Sequence, residues 1–379
     1  MKIMAIAMAA VVGFSAASCV SGNDTNPNEG NTILVQLPND VVAESRAVQG
    51  PIGTNVETVL SSVTVFLLNG NTVVGTPVDF TQTEIDNKSK KIEQVSSTVN
   101  GVLVVANIPT TVATDVKALK NRAAIQNYAY TINSQNSSTG VAGKLHIGGT
   151  GTLTEKTNPD GGDTHTYKEA VVSLEALTSR FEIAGVTAGE GIKTIQLIGV
   201  FMNNFYPVNG NTTPTCHNST NTIWNTTPDT TTSPSTTEFT TGAYTGPYNP
   251  AEYYDAYSAS VAWGTTAWNN VYSYHLFAGS YVPHLILLVK GEFEDGYFDS
   301  AAGTKYFMQW VTYTRFYGDD NVDITKIDPN YIYKVGTSTQ DGIVVKADEL
   351  TDKPELDKFD LGIQVQVVKW TPKNVTPGV

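Results

Sequence analysis

Leu361-Gly-Ile-Gln-Val-Gln-Val-Val-Lys-Trp370, close to the end of the 379-residue chain, alternates with a period of two. Leu361, Ile363, Val365 and Val367 fall on one face and Gly362, Gln364 and Gln366 on the other, which is the pattern of a half-buried β-strand. Near the other end, Ile33-Leu-Val-Gln-Leu37 puts Ile33, Val35 and Leu37 on one side and Gln36 opposite. Two segments of matching period and chemistry can fill one groove in turn. Between the early strand and the rest lies Arg46, the only basic residue from Ile3 to Asn87. The combination predicts a subunit that is cut, loses a strand and receives another from a neighbour.

The chain between these ends reads as strands and turns. Gly, Thr, Asn and Val are plentiful, and charged residues make up only 16%. Buried strands are expected at Thr58–Leu68, Gly101–Ile108, Ala129–Ile132 and His165–Leu174. One helix is expected, with Thr111 as its N-cap and Val112, Val116, Leu119 and Ala123 at helical spacing. A boundary falls near Leu177–Arg180. Beyond it, strands are expected at Phe181–Val186, Ile192–Met202, His284–Phe293 and Lys305–Tyr317, with a terminal strand from about Phe359. A Thr-rich excursion, 209–250, has threonine at 15 of its 42 positions and too little apolar area for a core. Strands at this spacing predict an all-β chain of two tandem β-sandwiches, 47–178 and 179–358, with one short helix in the first. Residues 359–379 form the terminal donor segment.

The N-terminus carries a targeting segment, residues 1–18. Lys2 is followed by the apolar stretch Ile3–Phe14 and by small residues up to Cys19. Ala17-Ser18-Cys19 resembles a bacterial lipobox, which would make Cys19 an acylated first residue; ordinary signal cleavage nearby is the other reading. Cys216 is the one remaining cysteine, so a lipidated Cys19 leaves no intramolecular disulfide. Residues 19–46 then form a propeptide holding the displaceable strand. The formal charge of −13 disfavours nucleic acid as a partner.

Catalytic patterns are weak. His146, His165, His217, His275 and His284 show no metal-ligand spacing, and no HExxH occurs. Gly148-Gly-Thr-Gly151 opens no helix, and Asp319, Asp320, Asn321 and Asp323 miss the calcium-loop pattern. No cofactor, no metal site and no enzymatic activity are expected. An aromatic belt of Tyr253, Tyr254, Tyr257, Trp263, Trp268, Tyr272 and Tyr274 offers an alternative function, a glycan-binding surface lipoprotein. Asp229-Thr230-Thr231 and Asp299-Ser300-Ala301 are candidate O-glycosylation triplets.

The lipobox-like Ala17-Ser18-Cys19, the early strand followed by Ser45-Arg46-Ala47, and the end Gly362–Trp370 together resemble the fimbrillins, structural subunits of the type V pili of Bacteroidales. The resemblance covers the whole chain in layout, with its specific motifs at the ends. It implies transthyretin-like sandwiches and an outer-membrane lipoprotein precursor anchored through Cys19. It implies cleavage of the Arg46–Ala47 bond by an arginine-specific surface protease, followed by incorporation into an extracellular fimbria. Ile33, Val35 and Leu37 would be the displaced strand, and Leu361, Ile363, Val365 and Val367 the donor to another copy or a related pilin. An accessory or tip subunit is the alternative within this family. On this reading Val365→Asp is expected to block donation and leave the precursor soluble.

Overall fold

A computed structural model describes residues 31–37, 60–132, 146–157, 166–183, 185–210, 212–214, 254–256, 272–297, 306–318, 320–335, 342–351 and 361–369. Cys19, Arg46, Ala47, most of the Thr-rich stretch and both candidate glycosylation triplets lie outside them. The first half forms β1 (Asn31–Gln36), β2 (Val63–Asn69), β3 (Thr72–Val73), β4 (Val78–Asp79), β5 (Ser89–Val95) and β6 (Gly101–Ala106). It continues with β7 (His146–Thr152), β8 (Thr154–Lys156), β9 (Tyr167–Val171) and β10 (Leu174–Ala176). Short helices α1 (Gln82–Asp86), α2 (Ala113–Ala118) and α3 (Arg122–Gln126) interrupt them. The second half forms β11 (Thr178–Ile183), β12 (Val186–Ala188), β13 (Ile192–Asn203), β14 (Tyr254–Ala256) and β15 (Tyr272–Phe277). After these come β16 (His284–Phe293), β17 (Tyr306–Tyr317), β18 (Tyr331–Val335), β19 (Ile343–Val345) and β20 (Leu361–Lys369). The chain is all-β, as its composition indicated.

The first half builds two sheets, β5-β1-β9-β8 and β10-β7-β6-β2-β3, with β4 also on β2. Between them lies one core holding Ile33, Val35, Val63, Val65, Val104 and Ala170. The unbroken apolar runs of β2 and β6 follow from burial on both faces. Val65 and Val104 belong to this core, whereas Phe66, Leu68, Leu103 and Val105 join a second cluster with Val116 of α2 and Ile125 of α3. That second cluster runs on into the other half of the chain through Tyr130, Ile132, Phe205 and Tyr206. Only Leu177 separates β10, in the first system of sheets, from β11 in the next. The second system is an eight-stranded path, β14-β13-β16-β17-β20-β18-β11-β15, with a small parallel pair β12-β19 beside it.

Local chemistry corrects four expectations. The single helix divides into α2 and α3. Leu119 is extended at ψ 140°, and Asn121 starts a new helix by accepting from the Ala123 and Ala124 amides at 2.9 and 3.3 Å. Helical spacing carries across the break, but a residue that competes for backbone donors decides where it falls. Val112, not Thr111, precedes α2, and it contributes no side-chain cap. Helix α1 was not expected, although Thr81 and Glu84 have capping-box spacing and make both reciprocal bonds. Ala129–Ile132 is not a strand. Thr131 makes a single bridge to Val208, and Ile132 donates to the Pro207 carbonyl at 2.8 Å, so its apolar residues serve a seam.

Asn107 closes the first core where β6 ends. It adopts φ +58°, is buried, and its Oδ1 accepts from Ser61 N at 2.8 Å, Ser61 Oγ at 3.0 Å and Ser62 N at 3.3 Å. Asn107→Ala removes the acceptor for three donors at the start of β2. A loss of about 1–3 kcal/mol is expected as a lower urea midpoint; an unchanged midpoint would show that water replaces the amide without cost.

Candidate functional site at the two terminal strands

Strand β1 is an interior strand. It pairs antiparallel with β5, from Asn31 opposite Val95 to Gln36 opposite Ser89, and parallel with β9, from Thr32 opposite Tyr167 to Gln36 opposite Val171. Its ends are also tied: Thr32 donates to the Thr166 carbonyl at 3.0 Å, Leu37 to that of Lys88 at 2.9 Å, and Gln36 accepts from Val172 at 2.9 Å. Ile33 and Val35 are fully buried and Leu37 is 3% exposed, so the side chains expected to form the displaced strand share one core. Burying three such aliphatic side chains is worth about 1.5–3 kcal/mol each. Removing β1 would leave a slot walled by Ile92 and Val95 of β5 and Ala170 of β9, with both neighbouring strands short of backbone partners.

The β5 wall of this slot was hidden in the sequence. Ser89-Lys-Lys-Ile-Glu-Gln-Val95 spaces its apolar residues by three, because a bulge with Gln94 at φ +55° interrupts the alternation. Lys90, opposite Val35, sits at the slot's edge. Its ammonium is 2.7 Å from the Glu84 carboxylate and 5.8 Å from the Phe80 ring centre. Burial works to raise the Glu84 carboxyl, but bonds from Lys90 and Thr81 outweigh it and hold the group below its ordinary range. The Glu84 carboxylate is therefore ionised at neutral pH.

Strand β20 occupies a slot of the same kind in the second half. It runs parallel to β17, Leu361 facing Tyr313 and Gln364 facing Tyr317, and antiparallel to β18, Val365 facing Val335 and Val367 facing Tyr333. It is the link between β14-β13-β16-β17 on one side and β18-β11-β15 on the other. Val365 is fully buried and Ile363 is 8% exposed, both within the core that holds Phe316 and Val335. Leu361 is half-buried and Val367 is 41% exposed, so the four alternating positions are not equally inserted. Gly362 lies against the Tyr317 ring, where an added Cβ would come within 3.0 Å. The two expected strand sets are thus placed in separate sheets and are not brought together within one chain.

The other sequence candidates gather no chemistry. Among the described residues no three His, Cys, Asp or Glu side chains come together as a metal site. Asp323 pairs with Arg315 at 3.0 Å, and Asp320 accepts from the Val322 amide at 3.1 Å. Of the aromatic belt, Tyr274 is buried and donates to the Val200 carbonyl at 2.9 Å, a core role. Only the backbones of Tyr254 and Tyr272 are described, and the remaining belt residues lie outside the described residues.

The seat of Val365 changes the outcome expected for Val365→Asp. A carboxylate there is buried in the subunit's own core, so the uncleaved chain itself should lose about 3 kcal/mol or more of stability in thermal unfolding. Gln366→Asp, on the exposed side, should stay within about 0.5 kcal/mol of the parent. Equal stability of both variants would show that β20 is not held between β17 and β18.

No family model matches the sequence, and no curated protein matches it. Solved structures do match. A candidate cell adhesion protein from Parabacteroides distasonis aligns with TM-score 0.54 and 12% identity over 90% of this chain and 99% of its own. Another from Bacteroides eggerthii aligns with TM-score 0.52 and 16% identity over 92% and 98%. A fimbrilin from Porphyromonas gingivalis aligns with TM-score 0.50 and 12% identity over 92% and 99%. At these identities the likeness is one of fold, and it spans nearly the full length of each structure. The chain therefore has the fold of a fimbrilin and of these adhesion proteins.

Proposed function

We propose that this chain is a structural subunit of a bacterial surface fimbria that supports adhesion and polymerises by protease-triggered strand donation. The observation that carries the reading is β1. It is a fully inserted interior strand at one end of the chain, and 22 residues containing Arg46 separate Leu37 from Leu60, where the core resumes. Cutting after Arg46 frees the strand without breaking any described element. A strand at the other end, with the same alternation and the same pair of neighbour polarities, supplies a replacement. Repeated head to tail, such a contact does not close on itself and grows as a filament.

In this reading residues 1–18 direct export, Cys19 carries the lipid that holds the precursor at the outer membrane, and residues 19–46 are removed. Residues 47–178 form the accepting unit and 179–358 the unit that presents the terminal segment. The partners are copies of this chain or related pilins, an arginine-specific surface protease and, before cleavage, the membrane. Tyr274 in the core gives the glycan-binding alternative no support.

The test is intact mass and negative-stain microscopy before and after a trace of arginine-specific protease. The expected product begins at Ala47 and forms filaments. Arg46→Ala should give a folded, lipid-bearing monomer that does not assemble. Normal filaments from that variant would remove the mechanism.

A further inference from the structure

We infer that β20 of one subunit enters the β1 slot of the next in a single register. Leu361 takes the place of Asn31, Ile363 that of Ile33, Val365 that of Val35 and Val367 that of Leu37. The inference rests on the strand-donation reading above and assigns the specificity of that contact to named positions.

The slot sets the direction. A strand entering as β1 lies runs parallel to β9 and antiparallel to β5, the combination β20 already makes with β17 and β18. A shift by one residue turns the glutamines inward and the aliphatic residues out. A shift by two in one sense places Lys369 where Leu37 is now 3% exposed. A shift by two in the other sense carries Val367 past the last buried position and brings Phe359 opposite Val95. In the remaining register Gln366 replaces Gln36 on the outer face, and Gln364 stands between exposed Lys91 and half-buried Glu169 in place of Leu34.

Burial at the two end positions favours the move, against the loss of the β20 ladders with β17 and β18 in the donor. In its own sheet β20 leaves Val367 41% exposed and Leu361 only partly covered. The corresponding positions of the β1 slot, held by Leu37 and Asn31, are 3% and 9% exposed. At one end the two strands differ in chemistry: Asn31 sets an amide opposite buried Val95 where β20 offers a leucine, which adds apolar contact. Asn31 is the position where the incoming strand adds apolar contact, and Leu361 and Val367 are the residues that gain burial from the exchange.

The register is read by disulfide capture between subunits. After cleavage Cys216 is the one native cysteine left, so both proteins carry Cys216→Ser. One also carries Lys91→Cys, whose position faces Leu34 across the ladder, and the other Gln364→Cys. The mixed, protease-treated, oxidised full-length proteins are expected to give a reducible dimer. Capture instead by Gly362→Cys or Gln366→Cys would overturn the register while leaving strand donation standing. Neither filaments nor dimers from any pair would overturn both. Independently, Asn31→Leu should slow assembly of the cleaved subunit at least about tenfold, because a leucine in place of the amide strengthens the resident strand. Assembly at the parental rate would remove Asn31 from the account.

Discussion

An interior β-strand must satisfy two hydrogen-bond ladders and one buried face, and both ends of this chain supply such a strand. No described element lies outside β1 and β20 along the chain, which makes their removal conceivable. An interior strand in mid-chain could leave only by dragging both flanking segments through the sheet. A terminal one slides out with its tail. The cost is the same in both cases: unpaired backbone groups on two neighbours and apolar side chains left facing water. That cost is large enough that an emptied β1 slot favours a new occupant. On the proposed reading the β1 slot passes from one occupant to another, which would tie the stability of the subunit to its assembly.

On the strand-donation reading, a second hydrophobic cluster keeps the two halves joined when β1 leaves. The second hydrophobic cluster runs from α2 and α3 through Tyr130 and Ile132 to Phe205 and Tyr206, so the two halves share packed side chains as well as a peptide link. Backbone bonds from Ile132 to Pro207 and from Asn209 to Tyr130, each 2.8 Å, fasten the same seam. Loss of β1 strips the first core only. The helix-covered face of β2 and β6, which belongs to the second cluster, keeps its partners. A filament that transmits tension from the accepting groove to the donated strand needs such a continuous path.

Much of this was legible in the sequence, and the exceptions have physical causes. β16 matches its expected bounds, and β6 and β17 nearly so, because each is a run dense in apolar and aromatic residues. The alternation of β1 and β20 was equally clear, yet it could not say which sheet each strand rests in. β5 escaped notice because its bulge and three charged residues erase the period. The helical pattern around Val116 ran on through Asn121 because spacing records which side faces the core and says nothing about where backbone donors are diverted. Asn31 drew no attention for a related reason: an asparagine just before a strand reads as turn chemistry, and only the pairing with Val95 reveals that it occupies a core position.

Why cutting should matter at all follows from tethering. While the chain is intact, β1 competes for its slot at the effective concentration set by a 22-residue connection, on the order of millimolar. A donor strand on another subunit, present at far lower concentration, cannot displace it even with a better fit. On the proposed reading, cleavage would turn the resident strand into a separate peptide that is lost to dilution once it dissociates. The advantage of tethering then passes to the neighbour, whose donor strand stays attached to a folded body. On that reading a strand with less apolar contact at one end is compatible with a stable precursor: the tether would hold it in place until the bond after Arg46 is broken.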